Sequence, residues 1–157
     1  MNIIHMIEGI VEKGKGFLMN PAESFRRSRT DSVGAAYRYF VALLVIYTIL
    51  SAIVAVAIGM YAFNDIIAQL AGTGMAGAAL AGAFSNLGLF VGAMIVFVVY
   101  LVFFIALFGI FLKGLALHAF VLMMGGEKGY QQTLKTTMYA TTPFLLLGWI
   151  PYVSIIG

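Results

Sequence analysis

The apolar and polar positions of this chain fall into long uncharged runs separated by short polar breaks. From Tyr39 to Asn64 no side chain is charged, and "YFVALLVIYTILSAIVAVAIGMYAF" exceeds the roughly 20 residues a helix needs to cross a hydrocarbon layer. This predicts a membrane span over about 37–62, with Tyr37 and Tyr39 at one interface and Tyr61 and Phe63 at the other. A second run, "LFVGAMIVFVVYLVFFIALFGIFL", predicts a span over about 87–112 that ends against Lys113. A third, over 137–157, is interrupted by Pro143 and Pro151, so a kinked or broken helix is expected there. Between the first two lies "IIAQLAGTGMAGAALAGAF", residues 66–84, long enough to cross but built of Ala and Gly, which bury little apolar surface.

The N-terminal region differs in kind. Ile3, Ile7, Ile10 and Val11 recur at helical spacing, with Glu8, Glu12, Lys13 and Lys15 mostly on other faces, as in a helix lying in the headgroup plane. "NPAESFRR" carries a helix-start signature: Asn20 as cap, Pro21 at the first helical position and Glu23 three residues after the cap. The expected organisation is an amphipathic region over 1–35 followed by a membrane domain over 36–157.

Composition agrees with that pattern. Of 157 residues, 62% are hydrophobic and 10% charged, against about a quarter charged in soluble domains. The fold class is therefore an all-α integral membrane helical bundle with about three spans. Charge placement arbitrates the Ala/Gly segment. With three spans, all nine basic residues (Lys13, Lys15, Arg26, Arg27, Arg29, Arg38, Lys113, Lys128 and Lys135) share one side, and the connection from Asn64 to Asn86 holds none. The positive-inside rule then sets a cytoplasmic N-terminus and makes 66–84 interfacial or re-entrant. Lys13, Lys15, Arg26, Arg27, Arg29 and Arg38 are candidate contacts for anionic lipid headgroups, on the order of 1 kcal/mol each near the surface; as topology determinants alone they would look the same.

Catalytic and metal chemistry find little footing. There is no cysteine, and His5 and His118 lack the further ligands a metal site needs, His5 having only Glu8 at i+3. No carboxylate pair is placed for acid–base work, and Ser and Thr have no base at hand. None of the three spans holds an ionisable residue of the kind ion-coupled transport uses. Small residues at Gly74, Ala78 and Gly82, and at Gly88 and Gly92, suit close helix packing, inside the chain more readily than in a homodimer. Basic residues beside the membrane, without interleaved exposed aromatics, do not suggest nucleic acid. The expectation is no enzyme and no cofactor.

A polar stretch, "MMGGEKGYQQTLKTTMYATTP", follows the second run. Its glycines allow positive φ and a tight reversal, and the Thr, Gln and Lys residues give the next helix an amphipathic entrance. With Gly125, Gly126, Gly129, Tyr130, Tyr139, Ala140 and Pro143, this stretch resembles the signature of the YIP-domain family, the Ypt/Rab-interacting multi-pass membrane proteins. "FLMNPAESFRR", with Pro21 and Phe25, is similar to the family's opening. The resemblance implies a non-enzymatic membrane scaffold or adaptor, with Pro21, Phe25, Gly125, Gly126, Gly129, Tyr130, Tyr139 and Pro143 as motif or partner residues. It implies partners among lipids, a second copy or another membrane protein. The long cytoplasmic region of eukaryotic members is absent, which weighs against a small GTPase; the expected protein is a prokaryotic member in the cytoplasmic membrane. The family's usual five hydrophobic segments imply a shortened or truncated chain ending at Gly157. From another class, a passive pore or small-solute permease would line itself with 66–84 and the Thr-rich third helix.

Overall fold

The computed structural model describes residues 3–127 and 129–151. Lys128 and the end of the third run, from 152 on, lie outside the described residues. The elements are α1 (Ile3–Met19), α2 (Pro21–Arg27), a 3-10 turn (Ser28–Thr30), α3 (Val33–Ala71), α4 (Met75–Ser85), α5 (Gly88–Met123), α6 (Tyr130–Ala140) and α7 (Thr142–Leu147). There is no strand among the described residues, and α3 and α5 are long and apolar enough to cross a membrane. At 39 residues, α3 is about 58 Å long at 1.5 Å per residue, well beyond a hydrocarbon layer of about 30 Å. The helix continues past the span expected over 37–62 because nothing from Asn64 to Gln69 breaks a helix, and Gln69 Nε2 donates to Asp65 Oδ2 at 2.7 Å one turn back. The stretch 66–84 is therefore the end of α3, a turn at Gly74 with φ +100°, and α4.

The chain forms two compact units. One spans 48–102. Here a Cβ on Gly88 would lie 3.4 Å from Met60 Cε, and one on Gly92 3.7 Å from Met60 Sδ. The Gly88/Gly92 pair thus serves packing of α5 on α3 within the chain. Large apolar side chains such as Ile53, Ile58, Phe97 and Leu101 remain exposed along these helices, as lipid-facing surfaces do.

The other unit joins residues up to Tyr47 with those from Phe103 on. Its core draws Phe17 from α1, Phe40 and Leu43 from α3, Ile110 from α5, Met138 from α6 and Leu145 from α7. α1 carries two apolar stripes: Ile10 and Phe17 turn toward this core, while Ile7, Val11 and Leu18 stay exposed. Asn20 caps α2 as expected, its Oδ1 accepting the Glu23 amide at 3.4 Å. Tyr39, expected at a lipid interface, is buried in the core.

The reversal between α5 and α6 is a Schellman motif: the Gly126 amide donates to Val121 O at 2.8 Å and the Gly125 amide to Leu122 O at 3.0 Å. Of the three glycines that allow positive φ in this stretch, Gly125 alone uses it, at +80°. Gly126 is required for space, since a Cβ there would meet Val121 Cγ1 at 2.4 Å. Gly129 has ordinary backbone angles as the cap of α6. The expected proline break is present: α6 ends at Ala140 and Pro143 sits in the first turn of α7, where its missing amide proton costs no helical bond.

Candidate functional site

Within the unit built on both chain ends, four elements converge on Asp31. α1 brings Lys13 and Phe17 on one face, the turn before α3 brings Asp31, α3 brings Tyr39, and α6 brings Lys135 and Tyr139, again one turn apart. Asp31 Oδ2 accepts directly from Lys13 Nζ and from the Tyr139 hydroxyl, and Lys13 Nζ also reaches Tyr139 Oη at 3.0 Å. The Lys13 ammonium lies 4.5 Å from the Tyr139 ring centroid, within cation–π range. Lys135 is only 8% exposed, and its Nζ donates to the carbonyls of Arg29 at 3.0 Å and Asp31 at 2.8 Å. A cation there satisfies carbonyls at the end of the 3-10 turn and meets the negative end of its dipole.

Burial pushes the Asp31 carboxyl up, but hydrogen bonds from Lys13 and Tyr139, with the charges of Lys13 and Lys135, outweigh it and hold the group below its ordinary value. The carboxylate is therefore ionised at neutral pH. Beneath it lies an aromatic stack: Phe17 is parallel to Tyr139 at 5.1 Å, Tyr39 is 5.5 Å from Tyr139, and Phe25 meets Phe17 edge-on at 5.1 Å. Thr142 Oγ1 donates to Tyr39 Oη at 3.3 Å. Such a set of groups, each engaged by another element of the same chain, clamps α1 and the turn before α3 onto α6.

The motif residues separate accordingly. Tyr139, 1% exposed, and Phe25 belong to this clamp, while Pro21 and Pro143 are exposed residues that start helices. Tyr130 fastens α6 to α5: its hydroxyl donates to Phe111 O at 3.1 Å, and its ring meets His118 edge-on at 5.7 Å. His118 Nδ1 is also 3.2 Å from Thr133 Oγ1, and Gly114 lets Leu134 approach, a Cβ there meeting Leu134 Cδ1 at 2.8 Å. Gly125 and Gly126 shape the turn, whose Met123 and Met124 are 82% and 88% exposed.

Among the candidate lipid contacts, Lys13 points into the clamp. Arg26 and Arg27 are exposed and paired with Glu23, whose carboxyl the Arg27 hydrogen bond holds below its ordinary value; desolvation opposes this, and the charges of Arg26 and Arg27 add to the lowering. Lys15, Arg29 and Arg38 are exposed. Asp31 was not legible as a site residue, since its partners stand 18 and 108 residues away. The available signal was a lone carboxylate between the basic cluster and the first span. No group of three possible metal ligands occurs among the described residues.

No curated protein and no solved structure gives a significant match to the chain. A family model described as the Yip1 domain matches residues 15–157, which takes in the clamp except Lys13, the α5–α6 turn and both long apolar helices. The chain belongs to the Yip1-domain family of membrane proteins.

Proposed function

We propose that this chain is a non-enzymatic membrane scaffold of the Yip1 type that works through a protein partner or lipids at its cytoplasmic face. In this reading it is a prokaryotic member, threaded three times through the cytoplasmic membrane with its N-terminus inside and 66–84 at the opposite interface. The reading rests on one observation above all: the α5–α6 turn is held from within and left open outside. The Schellman bonds and the Tyr130–Phe111 bond fix its shape, while Met123, Met124, Glu127 and Gln131 are exposed. A surface fixed before binding loses little freedom on docking. The clamp supports the same reading, because its charged groups are spent on holding elements together.

A photoreactive aromatic at Gln131, in native membranes, tests the proposal. Tyr130 is unsuitable for the probe because its hydroxyl and ring are engaged inside the chain. Capture of one specific protein, together with liposomes that leak no faster than empty vesicles, is expected. Solute flux well above empty vesicles would replace the scaffold with a pore.

A further inference from the structure

We propose that the groove between α2, the last turns of α5 and α6 binds one anionic phospholipid, phosphate at Arg29 and an acyl chain along α5. The groove encloses about 750 Å³, within the usual range for small-molecule sites. Its α5 wall is Leu117, Phe120 and Val121, with Met124 just past the helix end; its α2 rim carries Arg26, with Arg29 beyond, and no carboxylate lines it. Arg26 is held by Glu23, whereas the Arg29 guanidinium has no ion pair among the described residues. Arg29 is therefore the open anion contact, suited to the two-pronged recognition of phosphate that a guanidinium gives.

The α6 wall adds polarity of one kind. The Thr136 hydroxyl donates to Gln132 O at 2.9 Å and the Thr137 hydroxyl to Thr133 O at 2.8 Å. Thr137 is buried, whereas the exposed Thr136 oxygen is left as an acceptor, which fits a headgroup carrying hydroxyl or ammonium donors beyond its phosphate. The apolar wall names the other half of the ligand. α5 continues for ten residues beyond Lys113, about 15 Å at 1.5 Å per residue, and stays apolar on this side. An acyl chain continuous with the bilayer alongside α5 covers that surface, and charge complementarity places its phosphate at the arginine rim.

The inference rests on the reading that this face adjoins the membrane. Its test uses purified full-length chain in phosphatidylcholine nanodiscs, doped with phosphatidylglycerol or phosphatidylcholine bearing a photoreactive acyl chain, so no protein partner enters. Phosphatidylglycerol should label residues 117–124 about fivefold more than phosphatidylcholine at equal mole fraction, the factor expected for one well-placed cation. Arg29→Gln should remove that preference, and Arg38→Gln, an exposed arginine that does not line the groove, should keep it. Equal labelling by the two lipids, equal effects of the two substitutions, or a groove left unlabelled and crosslinked to a second copy would each overturn the proposal. Leaky liposomes would sink the scaffold reading while leaving this pattern intact.

Discussion

Tyr139→Ala is expected to cost about 4 kcal/mol in the unit that joins the chain ends, the loss typical of a large aromatic removed from a packed core. Tyr139 is 1% exposed, stacks on Phe17 and donates to Asp31, so truncation opens a cavity and strips the carboxylate of a donor in one step. Tyr139→Phe keeps the ring and should cost about 1.5–3 kcal/mol, the value of hydrogen bonds to charged groups. Trp149, the chain's single tryptophan, lies in the same unit, and its fluorescence during thermal unfolding in detergent reports the change. The charge in the clamp has its own signature. Asp31 titrates below its ordinary value of 3.8 when folded. Its ionised form therefore stabilises the fold fully above that value and loses the effect as pH falls through the lower folded value. The deficit of Asp31→Asn against the wild type should be constant near neutral pH and shrink below about pH 4. A deficit that grew on acidification would contradict an ionised, lysine-held Asp31.

Gly126→Val is expected to break the α5–α6 reversal, and Gly125→Val to strain it by about 1–3 kcal/mol, because each glycine meets a different demand. At Gly126 the demand is space: the added Cβ would lie 2.4 Å from Val121 Cγ1 and 2.8 Å from Val121 O, and the backbone oxygen cannot swing aside. At Gly125 it is conformation, φ being +80°, where a β-branched residue is strained whatever the room. Gly129→Val meets neither demand, with no atom within 4 Å of its Cβ and φ at −63°, and should shift stability by less than about 0.5 kcal/mol. Proteolysis at the turn in detergent orders the three: rapid cutting for the variants at 125 and 126, and the wild-type rate for Gly129→Val. Equal sensitivity at all three would mean that the turn is held by something other than the Schellman geometry.

The long uncharged runs were legible because a membrane solvent writes itself into composition over tens of residues, and α3 and α5 follow them. The start of α2 at Asn20 and Pro21 and the proline break after Ala140 were legible too, since caps and missing amide protons act locally. The clamp was not. Lys13, Asp31, Lys135 and Tyr139 look like a basic patch, a stray acid and an amphipathic helix until the fold brings positions more than a hundred apart into contact. Tyr39 misled in the same way: a tyrosine near the edge of an apolar run reads as a headgroup anchor, but this one turns to Phe17 and Tyr139. α3 runs on past Phe63 to Ala71 because one acid and a few polar residues mark a change of solvent without stopping a helix.

Single-cysteine labelling in intact cells tests the proposed threading most directly, because the natural sequence has no cysteine and one introduced thiol is the only thiol. Gly129→Cys is structurally benign by the geometry above, and Asn64→Cys lies on an exposed position of α3. A membrane-impermeant maleimide should label Asn64→Cys from outside and should reach Gly129→Cys only after lysis. Labelling of both from the same side, or of Gly129→Cys from outside, would contradict a scaffold that offers its fixed turn to the cytoplasm.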